Sequence, residues 1–187
     1  MANRNTQGFG LVPAGTLGQT PATSGTGKYK IDAGYATTIF HGGAVSSTAG
    51  YIVEGQGTAD NPMIGVLNGI FYNAATTLKP TFSNHYVQVT PANSEDIDAF
   101  VFDNPQQQYV VATDAAVAQA GYLETYDMNA SAGSTTTGKS SSTLDIGDTS
   151  ADAAAFRLLR SAEDPENDEN AAFRSVVVCL NLIELQS

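Results

Sequence analysis

The residues best typed and spaced for chemistry form one loop, Gly133-Ser-Thr-Thr-Thr-Gly138-Lys139-Ser140, which matches the phosphate-cradling pattern G-x-x-x-x-G-K-[ST] in full. That chemistry needs a buried strand before the loop and a helix after it, so that successive amides and the helix dipole face the phosphates. Neither flank qualifies. Asn129-Ala-Ser-Ala before the loop is turn-like, and Ser-Ser-Thr-Leu-Asp-Ile-Gly after Ser140 holds no helical period. The run Ala99-Phe-Val-Phe-Asp103 mimics the magnesium-binding Asp at a strand end, but it meets Asn104-Pro105 at once. The expectation is a Ser/Thr/Gly hairpin loop, with nucleotide binding through 133–140 as a remote alternative.

The other candidates are weaker. Glu163-Asp-Pro-Glu-Asn-Asp-Glu169 puts five carboxylates in seven residues, but it lacks the glycine and the spacing of a calcium loop. It reads as a solvated acidic turn. His41 and His85 are too few to hold zinc without further ligands, and Cys179 sits inside the apolar run Val176–Leu180 as an inert, buried thiol. No G-x-S-x-G is present. Tyr122, Glu124, Tyr126 and Asp127 could supply aromatics beside carboxylates for a glycan, though only weakly. The Asn129-Ala-Ser131 sequon carries no meaning without a secretory signal. No catalytic, cofactor-binding or metal-binding residue is expected, and the reading is a non-enzyme.

The bulk composition frames these candidates. Nineteen acidic and eight basic side chains give a net charge of −11 over 187 residues. Such a surface repels phosphates and anionic headgroups, so neither nucleic acid nor membrane is expected as a partner. Charged residues are only 14% of the chain, well under the usual share, so Thr, Ser, Asn, Gln and Gly supply the polarity, as β-proteins and particle components do. No apolar run is long enough to span a bilayer, and MANRNTQGFG has no apolar signal region.

The elements that must position these residues read as strand after strand from Lys28. Strands are expected at 28–32, 36–40, 51–55, 63–72, 79–82, 86–89 and 97–102. The last enters the turn Asp103-Asn104-Pro105 and returns as 109–113, an apparent hairpin. Gly65 and Gly69 suggest a bulge in the long run. Asp114–Gly121 is the one short helix, with Asp114 as its N-cap and Gly121 as its end. Strands follow at 122–128, more weakly at 140–146, and most strongly at 173–185; 156–160 is ambiguous because the alanines before it favour helix. No internal repeat is visible. The fold class is all-β, a single barrel or sandwich body with one short helix and an extended N-terminal arm. The divisions are an arm over 1–27 and a β-rich body over 28–187. The arm carries one charge, Arg4, and isolated apolar residues, Phe9, Leu11, Val12 and Leu17, which read as anchors for a partner.

Several segments resemble one known family. They are Phe100-Val-Phe-Asp-Asn-Pro-Gln-Gln-Gln-Tyr-Val110, the Gly133 loop with Leu144-Asp145, Leu158-Leu-Arg-Ser-Ala-Glu-Asp-Pro-Glu-Asn-Asp168 with the apolar strand after it, and the opening Asn5-x-x-Gly-Phe-Gly-Leu-x-Pro13. The first three, in this order, are similar to the capsid decoration (cement, head-stabilising) proteins of tailed bacteriophages, and the opening resembles those of phage head proteins. The resemblance implies a virion protein on the outer capsid surface, made in the host cytoplasm. It would cement neighbouring subunits of the major capsid protein and form a homo-oligomer, with a trimer favoured and a dimer possible. A head–tail adaptor, tail or fibre-base protein is the alternative.

Overall fold

The computed structural model describes Asn3, residues 5–18, 25–147, 154–163, 165–168 and 170–181. Its strands are β1 (Val12–Thr16), β2 (Gly27–Ile31), β3 (Ala44–Thr48), β4 (Tyr51–Glu54), β5 (Gly65–Asn73), β6 (Pro80–Ser83), β7 (Ile97–Phe102), β8 (Gln107–Ala112), β9 (Thr125–Tyr126), β10 (Met128–Asn129), β11 (Thr143–Leu144), β12 (Phe156–Ser161) and β13 (Ser175–Leu180). They form two antiparallel sheets and a small ribbon. The first sheet runs β1-β8-β13-β12-β9, the second runs β2-β7-β5-β3-β4 with β6 also beside β5, and β10 pairs β11. The chain is all-β and sandwich-like, and neither sheet closes into a barrel.

Alternation builds the core. In β7, Ile97, Ala99 and Val101 are fully buried on one face, while Asp98, Phe100 and Phe102 take the other. The first set joins Ile31, Val45, Leu67 and Ile70 inside the curled second sheet. A bulge between Leu67 and Gly69 lets Leu67 and Ile70 both point inward although they are three apart. A second cluster fills the space between the sheets, where Ala44, Met63 and Val66 meet Tyr109, Phe156, Leu158, Val176 and Val178. The second sheet's edges, β2 and β4, approach without pairing. Side chains bridge that seam: Tyr35 Oη accepts from the Glu54 amide at 2.8 Å, and Tyr51 Oη donates to Asp96 at 3.1 Å.

Three local expectations are corrected. Residues 97–102 and 107–112 are not a hairpin: β7 lies in the second sheet and β8 in the first, and the Asn104 turn carries the chain between them. Tyr109 Oη ties the two strands by donating to the Phe102 carbonyl at 3.1 Å. The helix over 114–121 does not form. Asp114 accepts from the Ile146 amide at 2.9 Å instead of capping, Val117 is drawn into the core, and a 3-10 turn at Gln119–Gly121 is all that winds. Third, part of the expected arm is a strand of the body. β1 pairs with β8, with Val12 opposite Val110, and Pro13 is tolerated because β1 is an edge.

Candidate functional site

The 133–140 loop is docked rather than free. Its amides point back into the chain: Ser134 N–H to the Lys139 carbonyl at 2.9 Å, Gly138 N–H to the Ser134 carbonyl at 2.7 Å, and Ser140 N–H to the His41 carbonyl at 2.9 Å. Thr137 and Lys139 amides turn to the hydroxyls of Ser134 and Thr137 at 3.4 Å each. The chain then passes into β11, not a helix. With five of its eight amides engaged in this way, the loop has no continuous row of donors to offer a phosphate. Gly138 has φ +72, and a Cβ there would lie 2.4 Å from Asn84 Oδ1, so the close packing needs glycine.

The two histidines serve this docking. His41 Nδ1 donates to the Asn68 carbonyl at 2.9 Å, and His85 Nδ1 donates to Asn84 Oδ1 at 2.8 Å. Asn84 in turn donates to the Thr137 carbonyl at 2.9 Å. His85 stacks on Phe40 with centroids 6.1 Å apart. Beside this junction a cavity of about 20 Å³ is lined by Phe40, Glu54, Met128, Ser140 and Ser142, room for about one water.

The acidic segment is organised by asparagines. Asn167 Nδ2 donates to the Ser175 carbonyl at 2.8 Å and its Oδ1 accepts from the Ser175 amide at 2.9 Å. Asn3 Nδ2 donates to the Ala172 carbonyl at 2.9 Å, and Asn3 Oδ1 accepts from the Asp168 amide. Asp164 and Glu169 lie outside the described residues, and among the described residues no cluster of His, Cys, Asp and Glu has metal-holding geometry. The glycan-type group also disperses. Tyr126 is core, with its hydroxyl on the Gly121 carbonyl at 3.0 Å. Tyr122 lies under the buried Arg174 guanidinium at 5.6 Å, and Asp127 accepts from the Ala155 amide at 2.9 Å. Cys179 is buried, and burial pushes its thiol up from the usual value.

The four proposed anchors part company. Leu11 is 1% exposed in the inter-sheet core, with its amide on the Gly42 carbonyl at 2.8 Å. It is a core residue of its own chain and is withdrawn as a partner contact. Phe9 is half-buried. Val12 and Leu17 remain exposed, at 45% and 40%.

An exposed apolar surface on the second sheet was not marked by the sequence patterns. On the face of the second sheet away from its own core, the first sheet covers the end at Val66 and Phe102. The other end is open. There Phe71 is registered opposite Phe82, and Phe82 leans over the bare Gly69 to within 6.4 Å of the Phe100 centroid. Phe71 is 37% exposed and Phe82 62%, and Leu78 in the β5–β6 turn is 73% exposed. Lys28 and Lys30 border the patch, 2.8 and 2.6 Å from Asp98. Burial works against the Asp98 charge, but the two ammoniums outweigh it and hold the carboxyl below its usual value. One signal was available in the sequence: no Asp or Glu occurs between Asp60 and Glu95.

No family model, curated protein or solved structure matches the chain.

Proposed function

We propose that this chain is a non-enzymatic virion protein that binds the outer surface of a tailed-phage capsid and ties neighbouring capsid subunits together. The observation that carries the reading is the outer edge of β1, which no other described strand pairs. It belongs to an N-terminal segment anchored by Leu11, and it presents Val12 and Leu17 to solvent beside a strand edge. A sheet edge flanked by exposed apolar side chains fits docking on a broad protein surface. Sparse charge and two packed sheets suit a rigid clamp. Many copies with modest contacts each would reinforce a shell through avidity. The segments similar to head-stabilising proteins support the same reading. A head–tail adaptor remains the alternative, and copy number per head separates the two.

The test uses expanded empty heads of the phage that encodes the chain. The wild-type protein is expected to co-sediment with them at high copy number. A Val12→Asp/Leu17→Asp double variant, which spares Leu11, is expected to lose at least ~30-fold in affinity while melting as the wild type does. Undiminished binding by the folded double variant would refute the β1 contact, and no binding by the wild type would refute the function.

A further inference from the structure

We propose that the open face around β6 is a two-fold self-association surface, and that its occupant is a second copy of this chain. The inference does not depend on the capsid reading. Its first support is the exposed pair Phe71 and Phe82, packed with the half-buried Phe100 and with exposed Leu78 in the adjoining turn, lying at the edge of a sheet and not within a cleft. Contiguous exposed apolar surface at a strand edge marks an association site.

The backbone says what kind of partner fits. The Ala74 amide donates to the Lys79 carbonyl at 3.2 Å, and the ladder continues with Tyr72 opposite Thr81 and Ile70 opposite Ser83. Antiparallel pairing alternates, so Lys79, Thr81 and Ser83 turn their backbone groups toward β5, whereas Pro80 and Phe82 turn theirs to the free edge. Pro80 has no N–H to offer there. Phe82 alone therefore presents both a donor and an acceptor. A two-fold axis at Phe82 lets the two Phe82 residues exchange their N–H and C=O bonds reciprocally, with the phenyl clusters meeting on one side. Proline stops the ladder from lengthening, which closes the contact at two copies instead of opening a fibre.

Charge selects the second copy. A chain of net charge −11 repels itself over most of its surface. Residues 61–94, which contain β5, β6 and their turn, hold no carboxylate and carry Lys79 and His85 as their titratable cation formers. Two such chains can approach through this surface without bringing its own carboxylates together, and it coincides with the apolar cluster and with the edge of β6 that no other described strand pairs.

The test is sedimentation equilibrium of the full chain, paired with two single substitutions of equal charge. Wild type is expected to be a monomer–dimer system. Phe82→Asp is expected to raise the dissociation constant at least ~30-fold, and Leu123→Asp, at an equally exposed apolar position elsewhere, to leave it unchanged. Circular dichroism melts establish that each variant folds. Should Phe82→Asp fail to fold, Lys79→Glu, at an exposed position, is expected to weaken the dimer severalfold in its place. A wild type that stays monomeric up to ~1 mM, a trimer, a dimer indifferent to a folded Phe82→Asp (or, where that fails to fold, to Lys79→Glu), or a dimer lost equally in Leu123→Asp would each overturn the proposal. None of these outcomes bears on binding to heads through β1.

Discussion

Replacing Leu11 with alanine measures whether the N-terminal segment belongs to the body. The side chain is 1% exposed and packs in the cluster that both sheets share. Truncating a buried leucine costs ~2.7–5 kcal/mol, set by how far the surroundings collapse. Collapse is restricted here, because the backbone just before Leu11 is already at close approach: a Cβ on Gly10 would lie 2.7 Å from the Gly42 carbonyl and one on Gly8 2.1 Å from the Ser141 carbonyl. The cavity therefore persists, and about 3 kcal/mol is expected. For a chain of this size each kcal/mol moves the melting point by ~2–4 °C, so Leu11→Ala should melt ~6–12 °C below wild type. Val12→Ala is the internal control, since Val12 is 45% exposed, and should stay within ~0.5 kcal/mol. Far-UV circular dichroism in thermal and urea unfolding reads both. A Leu11→Ala loss under ~1 kcal/mol, indistinguishable from the control, would refute the placement of this segment in the core. Deleting residues 1–27 removes a core leucine and a sheet strand, so such a truncation is not a clean test of binding.

Two further outcomes follow from single positions. Gly138→Ala meets both a φ of +72 and Asn84 Oδ1 at 2.4 Å from the new Cβ, so it should cost ~1–3 kcal/mol in urea unfolding, whereas a loop free of the body would lose no more than ~1 kcal/mol. Tyr29 donates to Asp103 Oδ2 at 2.7 Å, and burial, followed by that bond and the Asp103 charge, pushes its hydroxyl from 10.0 up to about 12. The folded value is the higher one, so this contribution is fully present below pH 10 and is lost as pH rises from 10 to about 12. Tyr29→Phe should flatten the fall in stability across that window, and an unchanged slope would remove Tyr29 from the account.

The sequence was legible where local pattern and tertiary demand agree. Residues 97–102 alternate cleanly, and β7 has those bounds. The long run with Gly65 and Gly69 became β5 with a bulge at the second glycine. Misreadings arose where distant partners decided the outcome. Ala44–Thr48 is small and hydroxylated and gave no strand signal, yet β4 and β5 pair on either side of it. The alanines before Phe156 favour helix, but β13 offered a full antiparallel partner. Expected strands at 36–40 and 86–89 shrink to one bridge, Ile39 to Tyr86, since neither finds a longer neighbour. Leu11 looked stranded because periodicity counts only local burial, whereas its side chain joins a cluster built by residues far along the chain, such as Tyr109 and Val176, and its amide is held by the Gly42 carbonyl. The Phe71–Phe82–Phe100 cluster escaped because alternation marks a face and does not say whether another sheet covers it.

The two proposed surfaces divide the labour of the fold in a way that single substitutions can separate. β1 is an edge of the first sheet, while β6 stands at the edge of the second. A dimer joined through β6 therefore leaves both β1 edges outside the dimer contact, and each dimer could engage a shell at two points. Bivalency multiplies affinity through effective concentration, by ~10²–10⁴ when the spacing suits, without any new contact. The charge pattern is compatible with this arrangement, because no carboxylate lies within 61–94 to oppose the approach of two copies at β6. Phe82→Asp would then leave the shell contact intact and remove only the avidity, whereas Val12→Asp/Leu17→Asp would remove the contact and leave the dimer.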